Sequence, residues 1–449
     1  MIAFIKRKYI NLVSDKKFSE ILSGSAWALG ARVAATAFGM ITSIIIARTY
    51  GADMVGILAV IQAFLLFATI ATVMGTNTSI LRLIPEHITK YSVTSAFRVY
   101  RKTQYFIVTL SLVASLLLFI GADIIAEKFF LKPNLAFYIA FAACFVVFQS
   151  LMNLNAQAVR GLRLIKAYAW MQVLPAATFL LILVGLTLLD TGKDSPVYAR
   201  MASLGIAAIA GVWIMYYTFY QRMREDDLIH PMPLGEILNI SLPMLVTASM
   251  HFIIGQTGVI LIGIFCSEAE VGYYAIAVKL ATLTTFVLTA INSMAAPKFS
   301  ELFHDGLMDE LFHVGQKSTR LIFWTTMPVL ILLLIFGTPV LGALFGFEFT
   351  KAYPAMSLLI LGQFVNSISG STGYFMQMTG HQKPFSKIML TAGLLNIILG
   401  IALVPHYGIL GAAVAAMICI FFWNIYTLFY IQKFFGKTIG YFPFLLSSR

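Results

Sequence analysis

Apolar residues run along this chain in stretches that begin every 21 to 49 positions and are interrupted by short polar segments. A helix crossing a bilayer needs about 20 mainly apolar residues. Twelve segments meet that requirement, at 22–47, 55–76, 104–122, 135–153, 169–189, 198–220, 239–265, 273–296, 321–336, 354–377, 388–404 and 409–430. The segments at 321–336 and 388–404 are short and are expected to extend into their flanks. The longest stretch between segments is 77–103, so no large extramembrane domain is expected. The pattern predicts an all-α polytopic membrane protein of about twelve helices.

Composition narrows the class further. Apolar residues make up 59% of the 449 positions and charged residues 11%. Soluble domains are about 45–50% apolar and about 25% charged. A soluble enzyme, a disordered chain and a secreted disulfide scaffold are therefore excluded. Cys144, Cys266 and Cys419 show no paired spacing and read as small apolar residues. Residues 1–21 do not read as a signal peptide, because the apolar run that follows is too long for one.

The net charge of +12 is a topology signal. Cytoplasm-side segments under the alternating assignment carry 23 Lys and Arg, against 5 on the opposite side. Such a bias places both termini in the cytoplasm. It calls for no nucleic-acid partner.

Twelve spans suggest two halves of six. An offset of 216 residues lays Val55-Gly56-Ile57-Leu58-Ala59-Val60 on Val271-Gly272-Tyr273-Tyr274-Ala275-Ile276. The same offset lays Ser25 on Ser241 and Gly39 on Gly255. Because six is an even number, the two copies run in parallel. The expected organisation is an N-terminal bundle at 1–220, a linker at 221–236 and a C-terminal bundle at 237–449. Two facing bundles would enclose a central cavity.

All 19 carboxylates fall outside the spans, whereas three basic residues fall inside. Arg200 lies a turn from the outer end of span 6, from where it can snorkel. Arg32 lies about ten residues into span 1, roughly 13–15 Å deep at 1.5 Å per residue. That is near the middle of a core about 30 Å thick, where a charge is costly and lines a polar cavity. Lys279, about six residues into span 8, can either face the cavity or snorkel. Each sits on a polar or small-residue stripe: Ser25, Arg32, Thr36, Gly39 and Ser43 on span 1, and Lys279, Thr282, Thr289 and Ser293 on span 8. Span 10 carries Gln363, Asn366, Gly370, Gly373 and Gln377 on one face, and span 7 carries Thr247 and His251. His251 reads equally as a proton-coupling group or a packing histidine. Asn153, Asn155 and Gln157 are explained by exposure at the end of span 4. A cavity with cations and no acid favours anions, phosphate and pyrophosphate above all. Its hydroxyls and amides suit a sugar.

Several stretches carry a resemblance. They are Ala47-Arg-Thr-Tyr-Gly-Ala-Asp-Met-Val-Gly56, Arg82-Leu-Ile-Pro-Glu86, Arg160-Gly-Leu-Arg-Leu-Ile-Lys166, Val271-Gly-Tyr-Tyr-Ala275, Pro297-Lys-Phe-Ser-Glu301, Gly380-His-Gln-Lys-Pro384 and Val404-Pro-His-Tyr-Gly-Ile-Leu-Gly-Ala-Ala-Val-Ala415. In this order and topology the chain resembles the polysaccharide or O-antigen flippases of the multidrug/oligosaccharidyl-lipid/polysaccharide exporter superfamily. The resemblance implies a bacterial inner-membrane protein of lipopolysaccharide or other polysaccharide biosynthesis. Its substrate would be an undecaprenyl-pyrophosphate-linked oligosaccharide, moved from the cytoplasmic to the periplasmic leaflet by alternating access. Arg32 and Lys279 would offset the pyrophosphate charge, with Ser25, Thr36, His251, Thr282, Gln363 and Asn366 as further substrate contacts. Partners would be membrane lipids, the polysaccharide polymerase and the chain-length machinery. Members with fourteen spans carry extra C-terminal helices, and this chain's twelve segments are not expected to place it in that subgroup.

No catalytic residue, metal site or cofactor is expected, and coupling to a proton or to sodium is left open. No phosphate-binding P-loop is present, which argues against direct ATP use. A multidrug antiporter of the same superfamily would need a buried carboxylate in the N-terminal half. A membrane polymerase would need acid–base carboxylates at a membrane face, yet the longest outer loop, 337–353, holds only Glu348.

Overall fold

The computed structural model describes residues 16–224 and 230–441; side chains are described for these except 16–26, 28, 29, 247, 293, 294 and 297. Among the described residues every regular element is a helix. Eight helices are long and apolar enough to cross a membrane, and the pair Pro133–Ala143 and Val146–Gly161, bent by 49°, makes a ninth crossing. Two of the eight, Lys16–Val73 and Gln382–Phe435, each merge two helices across a kink, at Gly51 and Gly408. With Tyr353–Ser369 and its continuation Thr372–Met378, the described residues hold twelve crossings in the predicted order.

The kinks have a local cause. Gly51 adopts φ 80° and Gly408 φ 52°, a left-handed region that glycine enters without the steric cost of a Cβ. The chain therefore reverses between spans 1 and 2, and between spans 11 and 12, with almost no loop.

The helices outrun the apolar segments. Span 3 is Val93–Ile120, span 9 is Met308–Phe345 and span 11 starts at Gln382. Hydropathy marks only the part of a helix in hydrocarbon; the backbone stays helical beyond it until a cap ends it. Ser92, for example, accepts the Ser95 N–H ahead of span 3. The expected loop at 77–103 is mostly helix for the same reason. Its first part, Thr76–Lys90, buries Ile80, Leu83, Ile84 and His87 on one face. On the other face Glu86 pairs with Arg82 and Lys90, each four residues away.

The chain forms two compact units. The first comprises the described parts of Met1–Thr42, Phe67–Ala122 and Phe137–Val246. Its core packs Ile80, Ile84, Phe97, Leu154, Met215 and Phe219 around Tyr100. The Tyr100 hydroxyl donates to Asn155 Oδ1 at 2.7 Å. Asn155 is fully buried, which corrects the expectation that exposure explains it: an amide in an apolar core needs such a partner. Elsewhere the unit is apolar outward. Span 5, Ile165–Leu188, is only 11% buried over its most apolar window, a surface that lipid can solvate and water cannot.

The second unit comprises Ser43–Leu66, Asp123–Ala136 and the described part of Thr247–Arg449. Phe299, Phe312, Phe375, Ile431 and Ile439 form its core. Spans 2 and 8 meet in it backbone to backbone. A Cβ on Gly56 would lie 1.8 Å from the Glu268 carbonyl oxygen, and one on Gly272 would lie 2.2 Å from the Ala52 carbonyl oxygen.

Candidate substrate site

Arg32 sits in the middle of its helical arm, 16 residues after Lys16 and 18 before Tyr50. At 1.5 Å per residue that is about 24 Å from one end and about 27 Å from the other. Its side chain is exposed, and Thr36, one turn on, is half-buried. Ser25 belongs to the same stripe, but its side chain lies outside those described; the same holds for Thr247 and Ser293.

A groove opens between spans 1 and 5 in the first unit, along the stretch of span 1 that contains Arg32 without Arg32 lining it. Trp27, Ala31 and Ala34 of span 1 and Ala169, Trp170 and Val173 of span 5 line a cavity of about 510 Å³. Small residues create the concavity and the two tryptophans flank it. Its walls carry no ionisable side chain.

Lys279 lies in the second unit and is half-buried. Its Nζ donates to Ser43 Oγ, so the stripe of span 8 meets the C-terminal end of the stripe of span 1. Three residues beyond Lys279 the helix tightens into a 3-10 turn, Thr282–Thr284. There Thr282 Oγ1 bonds back to the Val278 carbonyl at 2.8 Å and the Lys279 carbonyl at 3.2 Å. A 3-10 stretch inside a long helix commonly marks a hinge.

The remaining candidates are dispersed. Gln363 and Asn366 are buried in the second unit and bond to each other at 3.2 Å. His251 is exposed on Leu234–Phe265. Arg200 is half-buried, with its guanidinium 5.6 Å from the centre of the Phe179 ring.

The second unit also holds a cluster at the span 1–2 reversal that sequence patterns did not indicate. Arg48 Nε donates to the Leu344 carbonyl at 2.9 Å, and its Nη2 to that of Ala343. These carbonyls belong to the last turn of span 9, whose final C=O groups have no partner within the helix. Glu348 Oε1 accepts the Ala52 N–H at 3.1 Å, beside the Gly51 kink. Lys132 pairs with Glu268 at 3.5 Å. The stretch from Ala47 to Gly56 thus supplies one cap donor, one kink, one captured amide and one close-packing glycine. A hint was available in Glu348, the single acid of its loop.

Twelve crossings with glycine reversals and broken spans define a multi-pass membrane protein of transporter fold. Two solved structures share that fold. A lipid II flippase MurJ in an inward closed conformation superposes with a TM-score of 0.74, at 14% identity, over 92% of this chain and 87% of that one. An inward-facing multidrug-resistance MATE transporter of the MOP superfamily gives a TM-score of 0.70, at 14% identity, over 91% and 97%. The chain belongs to the family described as polysaccharide biosynthesis protein, which matches residues 53–354. Among curated relatives, the probable low-salt glycan biosynthesis flippase Agl15 of Haloferax volcanii is 21% identical over 82% of this chain and 74% of its own length. The probable flippase AglR of the same organism is 25% identical over 35% of this chain and 34% of its own.

Proposed function

We propose that this protein is a flippase for a lipid-linked oligosaccharide. The substrate is a polyprenyl-pyrophosphate glycan, undecaprenyl-linked in a bacterium, and it moves from the cytoplasmic to the opposite leaflet of the inner membrane by alternating access. The observation that carries the proposal is Arg32, a cation at mid-helix in a chain whose carboxylates all lie outside the apolar segments. A fixed cation at that depth offsets a pyrophosphate that would otherwise meet the full cost of a low-dielectric core. Lys279 supplies a second cation, already engaged with a hydroxyl that a phosphate oxygen can replace.

The groove between spans 1 and 5 supports the lipid part of the proposal. Its lining of tryptophan, alanine and valine side chains is apolar and would suit the first isoprene units, with the headgroup taken by the arginine of span 1. The relatives' descriptions as glycan flippases point to the same substrate class. Transport in this scheme needs no bond made or broken, so the protein acts as a transporter and not as an enzyme. Both termini lie in the cytoplasm, and the polymerase that consumes the flipped unit acts on the far side.

Proteoliposomes provide the test. A fluorescent polyprenyl-pyrophosphate oligosaccharide is incorporated, and a membrane-impermeant quencher reports its leaflet. Exchange between leaflets that depends on the protein supports the proposal. Exchange of cationic drugs with no exchange of the glycolipid would replace it with the antiporter.

A further inference from the structure

The turn between spans 4 and 5 carries charges that the scheme above leaves unused. Helix Val146–Gly161 ends there and Ile165–Leu188 begins. The turn is tightly tied. The Arg163 N–H donates to the Arg160 carbonyl at 3.0 Å, and the Leu164 N–H to the Val159 carbonyl at 3.2 Å. Arg163 adopts φ 58°, a conformation that suits glycine and strains any residue with a Cβ. Turn geometry therefore does not account for an arginine at this position.

Three cations gather at the turn. Arg160 leaves the last turn of span 4, and its guanidinium lies 5.7 Å from the centre of the Tyr168 ring, in the first turn of span 5. Arg163 precedes span 5, and Lys166 is its second residue. All three side chains are exposed. Among the described residues none of them pairs with a carboxylate.

The three cations stand at one end of the apolar groove. Lys166, Trp170 and Val173 follow one another at helical spacing on one face of span 5, and the last two line the groove. Lys166 is one turn from Trp170, about 6 Å along the axis. The opposite wall, Trp27, Ala31 and Ala34, is the stretch of span 1 that contains Arg32.

We propose that Arg160, Arg163 and Lys166 form a loading site for the pyrophosphate of a polyprenyl-linked glycan. The headgroup occupies it before passing to Arg32, and the groove holds the start of the prenyl tail throughout. The inference rests on the transport function proposed above and adds an earlier site on the substrate's route. Charge and shape select this ligand. Three cations without acid partners suit a pyrophosphate diester, with two negative charges, better than the single charge of a phospholipid phosphodiester. Arginine also offers its N–H donors in a fork that matches phosphate oxygens. A groove between two helices suits one tail better than two. Under the proposed topology the turn faces the cytoplasm, the side from which the substrate comes.

Equilibrium binding tests the site apart from transport. The full-length protein in detergent micelles is titrated with undecaprenyl pyrophosphate, or with undecaprenol as the neutral counterpart, and bound lipid is counted by native mass spectrometry. All variants are made in an Arg32→Ala/Lys279→Met background, so that the later site does not contribute. Arg160→Gln/Arg163→Gln/Lys166→Gln should raise the half-saturating concentration of the pyrophosphate about a hundredfold, at about fivefold per charge, and leave that of undecaprenol unchanged. Arg163→Gly removes one charge where glycine fits the backbone, so binding should weaken about fivefold with Tm equal or higher. Arg163→Lys should retain binding, and equal losses in these two variants would make position 163 structural and overturn its role. Unaltered half-saturation in the triple variant overturns the proposal. So does displacement of the probe by an equal concentration of phosphatidylglycerol, which would make the turn a general surface for anionic lipid. The two proposals fail separately. Binding at the turn without leaflet exchange by the unaltered protein removes the flippase and leaves the site, whereas exchange with unaltered binding in the triple variant does the reverse.

Discussion

Gly56 and Gly272, 216 positions apart, pack against each other's helices in a reciprocal contact: Gly56 on the Glu268 carbonyl and Gly272 on the Ala52 carbonyl. Ala52 and Glu268 are themselves 216 apart. The contact is therefore symmetric under the offset that relates the two sequence halves. A repeat read from weak matches acquires a physical reason at this point, because each copy supplies the small residue that the other copy's backbone needs.

Replacing either glycine tests the contact. A methyl at position 56 would stand 1.8 Å from a carbonyl oxygen, so the helices must separate. Gly56→Ala and Gly272→Ala are each expected to cost about 1–3 kcal/mol, the usual range for overpacking. The double variant should cost less than the sum, because the first substitution already opens the crossing. Thermal unfolding in detergent checks this, and full additivity would contradict it.

The span 1–2 reversal gives a second expectation. Glu348→Ala removes the acceptor for the Ala52 N–H, and Arg48→Ala removes the donors to the Ala343 and Leu344 carbonyls. Glu348→Ala should lower stability by about 1 kcal/mol, as for a single hydrogen bond, and Arg48→Ala by about 2 kcal/mol, as for two. Arg48→Lys should not restore it, since one ammonium cannot reproduce a planar fork. Equal Tm for Arg48→Lys and the unaltered protein would argue against the cap.

His87 makes stability depend on pH. It is buried on the Thr76–Lys90 helix, with Nδ1 3.0 Å from Ser95 Oγ. Burial, and then the nearby His230, hold its pKa below the ordinary 6.5. The unfolded chain thus binds this proton at a higher pH than the folded one does. Stability from His87 is fully present above about pH 6.5 and is lost as pH falls toward the folded pKa. Tm measured from pH 8 to pH 5 should decline below 6.5, and His87→Gln should flatten that part of the curve. An identical decline in the variant would assign it to other groups.

Much of the fold was legible in the chain, for reasons that particular residues illustrate. Apolar length located each crossing, because lipid imposes one requirement on every residue of a span. Helix ends were less legible: Val93 begins span 3 eleven positions before the apolar run at 104, since polar residues continue a helix as readily as apolar ones. Asn155 was misjudged because a core amide and an exposed one look alike until Tyr100 is placed. The site divides similarly. Arg32 was conspicuous because charge at depth is rare, and Lys279 because of its stripe. The capture of the Ala52 amide by Glu348, 296 positions away, depends on tertiary packing that no local pattern records.

Lys279 can be separated from Arg32 by its hydroxyl partner. Ser43→Ala removes the acceptor and leaves the ammonium. If Lys279 serves the pyrophosphate, Ser43→Ala should change glycolipid transport by less than about threefold, and Lys279→Met should reduce it by tenfold or more. Rates in the leaflet-exchange assay decide. Equal, severe losses in both would make the pair a structural contact only.

The most direct measurement compares Arg32→Ala, Arg32→Lys and the unaltered protein in proteoliposomes carrying the polyprenyl-pyrophosphate glycan and, separately, a neutral polyprenyl glycan. Loss of at least a hundredfold in pyrophosphate-glycan exchange is expected for Arg32→Ala, with partial retention in Arg32→Lys. The neutral glycan should exchange slowly with all three proteins and be insensitive to position 32. Undiminished pyrophosphate-glycan exchange by a folded Arg32→Ala protein would contradict the role of this cation in moving the substrate.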